Sequence, residues 1–411
     1  MNNFSGVVSV ILIEGKGKCL VTDIPFLYGQ LVFSEAPLFL SNSVSDLFSR
    51  IVEISSEIDM LEFQPIWYNA ALTSLMSNDA EKTEQFITKW FPRDDNTSES
   101  ATLLDALRLM EKENLAMLTP KAVRDAVLIW RYNSFAHHSD TNALIMYNMT
   151  SFMSHSCKPS CVWAFGDGDT FNLRTCRELK VGDELTISYI SEDQLTMPII
   201  LRRKLLEGWK FHCLCERCSP VDDNLRSLRC PTCNFGELYL SSHASPQSPG
   251  TVRACDACGS QISPEELKRL VEVEELYFQR LSAMDATNVA DVLNVYNEAT
   301  RLFTTNHWII YKLETMMIPH LKQQMSGLGL TFMHNKIKYL ERLGFPTYSL
   351  GWAYEEVGDW LVATSSEISS NETIARSFFE KAYWVLRTIT GSESGYSVSI
   401  QSKWANLCQN H

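Results

Sequence analysis

Nothing in the chain approaches the roughly 20 consecutive apolar residues that a membrane-crossing helix needs. The early apolar run, Val7 to Ile13, is about seven residues long and has no basic flank, so it also falls short of a secretory signal. It reads instead as a buried strand. Positive charge is in deficit, with 36 Lys and Arg against 49 Asp and Glu and a formal charge of −13. The deficit argues against generic attraction to nucleic acid; it suits basic peptide segments as partners, and equally plain acidic solubility. Cysteine is missing from the whole span between Cys19 and Cys157. Apolar residues are not scarce: at 45% of 411 residues they exclude a disordered chain and allow two or three cored domains. The expectation is a soluble intracellular monomer, cytoplasmic, nuclear or both, with no membrane partner.

The 12 cysteines lie in too long a chain for a small secreted disulfide scaffold. Most fall in or beside Cys-x-Cys and Cys-x2-Cys clusters, which in a reducing compartment read as zinc, with disulfides as the alternative. Cys213-Leu-Cys215-Glu-Arg-Cys218 supplies three thiolates on a tight turn, and a tetrahedral zinc needs a fourth ligand from elsewhere. Upstream, Ser151 to Cys161 reads SFMSHSCKPSC. Between the two runs Phe171 to Tyr189, FNLRTCRELKVGDELTISY, two strand-like stretches joined by a Val-Gly-Asp-Glu turn. Together these elements resemble the second half of a SET-domain protein methyltransferase of the SMYD type (SET with a MYND finger). That family carries Asn-His-Ser-Cys-x-Pro-Asn-Cys, then Glu-Glu-Leu-Thr-Ile-x-Tyr, then a C-x-C-x2-C post-SET segment, in this order.

The resemblance implies roles for individual residues. Cys157, rather than Cys161, joins Cys213, Cys215 and Cys218 in a closed structural zinc site, which leaves Cys161 as a small buried apolar residue. Tyr189 falls at the catalytic tyrosine, and Tyr147 and Trp209 fall at the lysine channel. Contacts to S-adenosylmethionine fall to Lys16, Gly17 and Lys18, to Asn133 and Ser151, to Ser154 and His155, and to Phe211 over the adenine. Two positions depart from the family pattern. Cys19 stands at the second glycine of Gly-x-Gly-Leu, and Ser154 stands where an asparagine holds the cofactor. Serine has one short hydroxyl where asparagine has a forked amide. A lost hydrogen bond to a charged group is worth about 1.5–3 kcal/mol, about tenfold or more in affinity. Without the resemblance the glycines read as an ordinary hairpin turn and Asn133 as a turn or cap residue. Tyr189 would be a buried strand tyrosine, and Trp209 and Phe211 the core of a zinc knuckle.

Cys230-Pro-Thr-Cys233 and Cys255-Asp-Ala-Cys258 form a second metal signal, that of a zinc ribbon. The neutral SSHASPQSPG between the pairs lacks the basic stripe a nucleic-acid-binding ribbon needs, so direct nucleic-acid binding is not expected. The spacing predicts helices over residues 43–54 and 101–118, with a polar loop near Arg93 to Ser100. The family places its MYND finger in this region; with no cysteine here, that finger is absent. From Ser263 onward, helices are expected near Pro264 to Met284, Val289 to Phe303, Trp308 to Gln324, Tyr348 to Thr364 and Glu372 to Thr390. They suggest a short tetratricopeptide-like array without a strict 34-residue repeat.

The expected architecture is thus α+β: a SET-domain β-clip fold of short curved sheets with a helical insert, a four-cysteine post-SET zinc site, a zinc ribbon and an all-α tetratricopeptide-like C-terminal domain. Its parts are the SET N-terminal part (1–40), the insert (41–130), the SET C-terminal part (131–210), the post-SET segment (211–220), the ribbon (221–262) and the helical domain (263–411). The implied activity is methylation of lysine in a histone or non-histone protein substrate, with S-adenosylmethionine and two structural zinc ions. The alternative is a catalytically weak or inactive scaffold that binds protein partners through its helical domain.

Overall fold

Gly15 and Gly17 take φ values of +75° and +84°, where side chains are strained, and so turn β1 (Val8–Ile13) back along β2 (Gly17–Thr22). The computed structural model describes residues 4–57, 61–90, 101–113, 117–324, 326–364 and 368–409. The glycine-rich stretch is therefore a hairpin turn that runs straight into a strand. β1 is not the buried strand expected. Leu12 is 81% exposed, and Val10 and Ile11 are open too, because β1 pairs with β2 alone and no described layer covers its outer face.

Next come β3 (Leu31–Glu35) and β4 (Phe39–Ser41), then the helical insert. It consists of α1 (Asp46–Glu57), α2 (Pro65–Leu75), α3 (Ala80–Lys89), α4 (Ala101–Glu113) and α5 (Pro120–Asn133). Thr119 caps α5 by accepting from the Ala122 amide, and Pro120 sits in its first turn, where no amide partner is needed. The insert has its own core, with Tyr68, Phe86 and Trp130 fully buried. Two of its buried polar groups find partners inside: the Tyr68 hydroxyl donates to Asp105 (2.6 Å) and the Trp130 indole to Ser74 (3.0 Å). The polar stretch Arg93 to Ser100 lies outside the described residues.

Short strands then resume: β5 (Ser134–Ala136), β6 (Leu144–Met146), β7 (Ser154–His155), β8 (Cys161–Phe165), β9 (Phe171–Thr175) and β10 (Thr186–Ile187). They form two three-stranded sheets, β3-β9-β8 and β4-β6-β5, and a two-residue parallel pair, β7 with β10. The parallel pair sets Ser154 opposite Thr186 and His155 opposite Ile187. After α6 (Glu192–Leu195) and α7 (Ile199–Leu206), the hairpin of β11 (Asp222–Arg229) and β12 (Glu237–Ser241) carries Cys230 and Cys233 in its turn.

The rest is helical: α8 (Pro264–Ala283), α9 (Val289–Ala299), α10 (Trp308–Gln323), α11 (Gly327–Glu341), α12 (Tyr348–Ala363), α13 (Ile368–Thr390) and α14 (Gly395–Gln409). From α9 on, each helix packs against the next. Glycines let α12 pack closely on α13. A side chain at Gly351 or Gly358 would come within 2.7 Å of Leu386 or Phe379. Among the described residues no helix is long and apolar enough to cross a membrane. The helices also close over the sheets: α13 lies on β8 and β9, and Glu192 accepts from the Tyr348 and Ser349 amides (2.7 and 2.9 Å) at the start of α12. One apolar cluster runs from Cys157, Leu195 and Cys213 through Leu228 to Trp308, Phe332 and Phe379.

Inside this helical layer Glu314 is buried, and burial pushes its carboxyl up from 4.5 to about 7, although Asn335 and Tyr296 donate to it. A raised carboxyl favours the protonated native state, so the stability it allows is full below pH 4.5 and lost as pH rises through 7. Glu314→Gln keeps an acceptor for both donors. It is expected to stabilise the protein by roughly 3 kcal/mol at about pH 8 and by almost nothing at about pH 4.5, as read by urea unfolding at the two pH values.

Candidate active site

Four elements distant in sequence meet around Tyr189. Cys157 follows β7, and its Sγ lies 3.6 Å from that of Cys218; the sulfurs of Cys157, Cys213, Cys215 and Cys218 all lie within 4.8 Å of one another. Four thiolates at about 2.3 Å around one tetrahedral zinc would sit roughly 3.8 Å apart. The donor set therefore fits zinc in chemistry and in spacing. The second group, Cys230, Cys233, Cys255 and Cys258, fits equally, with Sγ pairs at 3.7 and 3.8 Å. Such a cluster carries two net negative charges when metal-loaded, and the first one has cations at hand. Arg202, 1% exposed, donates to the Cys218 sulfur (3.5 Å). Burial opposes its charge, yet the Cys157 and Cys218 thiolates hold it above the usual arginine range. Arg217 donates to the Cys157 carbonyl (2.8 Å) and Arg203 to that of Cys218 (2.8 Å).

His155 connects this cluster to the tyrosine. Its Nδ1 accepts from the Tyr189 amide (2.9 Å), so its Nε2 carries the proton and points it at the Cys157 sulfur, 3.2 Å away. Burial above all, with the charge of Arg202, lowers the imidazole to about 4. His155 is thus a neutral strut. The Tyr189 hydroxyl donates to the Met153 carbonyl (2.5 Å), and burial, with Cys19 and Glu184 nearby, raises it far above the usual phenol range. Around its ring stand His155 (5.4 Å), Trp209 (5.8 Å) and Phe211 (6.2 Å, edge-on). The left-handed Lys210 (φ 58°) separates Trp209 from Phe211 along the chain.

The other residues expected at the cofactor lie close by. Lys18 places its ammonium 5.8 Å from the Phe152 ring, and Lys16 pairs with Glu184 (2.5 Å). Ser154 is in contact with Cys19 (3.3 Å between hydroxyl and thiol), so the two departures from the family pattern touch. Burial and the Glu184 carboxylate raise the Cys19 thiol against the opposing hydrogen bond from Ser154. Asn133 ends α5 and donates its side-chain amide to the Ile129 carbonyl (2.8 Å). The Ser151 hydroxyl bonds the carbonyls of Tyr147 (2.6 Å) and Asn133 (3.0 Å). The turn that carries Ser151 is pinned by buried Glu35, which accepts from the Met149 and Thr150 amides.

Tyr147 is the exception. It is fully buried, donates to the Asp169 carbonyl (2.5 Å) and packs on Phe135 and Phe171, not in the aromatic group around Tyr189. It directly follows β6 and faces the sheet core, without contact to the group around Tyr189.

Several participants are given no role by the sequence reading. Glu184, inside the run that ends at Tyr189, has one carboxylate oxygen buried without a hydrogen bond beside the turn of Lys16. Arg202 and Arg203 belong to no motif, and Arg217 stands at a spacer position between Cys215 and Cys218. His137, His138 and Asp169 also converge, with Nε2–Oδ1 distances of 3.0 and 3.3 Å. The amides of Ser139 and Asp140 point at His137 Nδ1, so its Nε2 is protonated and donates to Asp169. That trio reads as a hydrogen-bonded corner, not a metal ligand set.

The SET-domain family model matches residues 17–190. A SET and MYND domain-containing protein of Dictyostelium discoideum is 43% identical over 75 residues, which are 18% of this chain and 14% of that protein. The histone-lysine N-methyltransferase SMYD3 of Homo sapiens is 38% identical over 77 residues, 19% of this chain and 17% of its own length. The matched stretches span less than a fifth of either relative. Among solved structures, the SET domain of LSMT bound to lysine and AdoHcy gives a TM-score of 0.34 at 12% identity, over 100% of this chain and 90% of that one.

Proposed function

This chain carries a SET domain of the SMYD type, and from that we propose that it transfers a methyl group from S-adenosylmethionine to the ε-amine of lysine in a protein substrate. The observation that carries the reading is the closure of the Cys157 cluster, which sets Tyr189, His155, Trp209 and Phe211 in one aromatic group. The cofactor, when bound, supplies an electrophilic methyl on a cationic sulfonium. The residues present fit its amino-acid end. The unpartnered oxygen of Glu184 is an acceptor for an ammonium, and Lys16 beside it is a partner for a carboxylate. Zinc would be held at both four-cysteine groups as a structural ion.

A free lysine has a pKa of about 10.4, so offering the neutral amine near pH 7.4 costs about 4 kcal/mol. The positive charge of a bound sulfonium facing the amine would disfavour the charged form and lower that cost, with Trp209 and Tyr189 limiting access of water. The Tyr189 hydroxyl donates to the Met153 carbonyl and stays protonated, which leaves its oxygen lone pairs free to accept from the amine and hold its nitrogen in line. Tyr189→Phe removes that acceptor while leaving the ring. Transfer of tritium from labelled S-adenosylmethionine to a lysine-rich protein is expected and should drop about a hundredfold or more in this variant. Undiminished transfer would sink the assignment.

The scaffold reading draws on the Cys19–Ser154 contact, which engages the serine hydroxyl away from a cofactor. Calorimetry with S-adenosylmethionine helps separate the two, since binding at tens of micromolar argues against the scaffold reading.

A further inference from the structure

The aromatic group around Tyr189 continues outward past Trp209. The Arg131 guanidinium carbon lies 5.6 Å from the Trp209 ring centre, 5.6 Å from that of Trp67 and 6.0 Å from that of Tyr132. The four side chains are all half-buried and open to solvent on one side. In a chain with 49 acidic against 36 basic residues, Arg131 has no carboxylate partner among the described residues; rings alone hold it. A cation between two indoles is a favourable arrangement in its own right. It stands one ring away from Tyr189, because Trp209 also packs on that tyrosine at 5.8 Å.

We propose that Trp67 and Trp209 form a seat for an arginine side chain of the protein substrate, beside the acceptor lysine, and that Arg131 fills that seat in the free protein; Tyr132 edges it and also carries the Lys210 ammonium at 5.6 Å. The proposal rests on the reading that lysine approaches Tyr189 past Trp209. Arginine is the occupant because the seat already accommodates a flat guanidinium, which stacks on rings and sheds water more readily than an ammonium. The negative charge of the chain favours a basic segment arriving from outside. Arg131 sits in the last turn of α5 and is half-buried, so it can swing into solvent when displaced. An incoming arginine then gains the rings only as the resident one loses them, which mutes the wild-type affinity. Trp67 belongs to α2, so the helical insert contributes one wall of this seat.

The test uses fluorescence anisotropy with a labelled Gly/Ser decapeptide bearing one lysine and one arginine, and its twin with citrulline, neutral and isosteric, in place of the arginine. Arg131→Met is expected to bind the arginine peptide about three- to tenfold more tightly than wild type and the citrulline peptide no better. Adding Trp67→Ala should remove the gain, and Arg131→Lys, which refills the seat, should stay near wild type. Arg131→Gln replaces Arg131→Met if the latter does not fold. Equal binding of both peptides by Arg131→Met, weaker binding than wild type, a gain that survives without Trp67, or no binding by any variant would overturn the proposal and leave Arg131 as a clasp between α2 and Trp209. Calorimetry of the same preparations with AdoHcy reports separately on the methyltransferase reading: intact heat there leaves it standing even when the seat fails.

Discussion

Cys157→Ser is expected to lower the zinc content from two ions per chain to one and to abolish AdoHcy binding or weaken it at least tenfold. The reasoning follows the bonds. Cys157 contributes the one sulfur that comes from the SET half of the site, and the other three stand on the segment after Phe211. A serine oxygen is a poor substitute for a thiolate at a closed tetrahedral zinc, and structural sites of this kind contribute about 10–16 kcal/mol in small fingers. Once the metal goes, nothing of similar strength ties the Cys213–Cys218 turn to β7. Arg217, which donates to the Cys157 and Leu195 carbonyls, would lie close to Arg202 with fewer thiolates to offset the two cations. His155 also loses the sulfur its Nε2 points at, and with it the restraint on the Tyr189 amide. Phe211, 5.9 Å from the His155 ring, is then free to leave. The ribbon cluster, 3.7–3.8 Å between its paired sulfurs, should keep its ion and serves as the internal control in metal analysis. Two ions retained, with unchanged AdoHcy heat, would dissociate the metal from the pocket.

The parts of this site that can be read in the sequence are those whose chemistry demands fixed spacing. Thiolates on a zinc knuckle must follow C-x-C-x2-C or C-x2-C, and the strand before Tyr189 must alternate. Both are visible, and so is the order of the elements. What cannot be read depends on surfaces that meet only after folding. Trp67 and Trp209 face the same guanidinium across more than a hundred residues, and no periodicity links them. Glu184 sits in a strand-like run where its carboxylate looks solvent-facing, yet pairing of Val21 with Glu184 brings it beside Cys19 and Lys16. Tyr147 follows β6 and packs on Phe171, an orientation that family position does not give. In the C-terminal part, two helices go beyond those named from the sequence. α11 opens on Gly-Leu-Gly, and α14 is rich in serine, so local propensity argues against both; packing against α10 and α13 supplies what propensity lacks.

A second large effect is expected where the ribbon meets the helices. Arg226 of β11, almost fully buried, gives its guanidinium to Glu274 of α8 (3.0 and 3.1 Å from Nε) and to the carbonyls of Ser241 (3.2 Å) and Ala244 (2.9 Å). Glu274 also accepts from the Trp308 indole (2.8 Å) and lies 3.3 Å from His307. Burial would raise this carboxyl, but the charge of Arg226, with His307 close by, outweighs it and holds the group well below the carboxylate range. Arg226→Met removes the cation and leaves a desolvated carboxylate behind, which should destabilise the protein by about 3–5 kcal/mol at about pH 7.5. Because the folded carboxyl is depressed, its contribution is present above the unfolded value near 4.5 and lost as pH falls below it. The gap between wild type and Arg226→Met should therefore narrow in urea unfolding at about pH 4. The double variant Arg226→Met/Glu274→Leu removes both charges and should recover most of the loss, since an apolar pair of similar volume has no ions to desolvate. A single variant within about 1 kcal/mol of wild type would mean that water reaches the pair and that the ribbon is held by its apolar contacts alone.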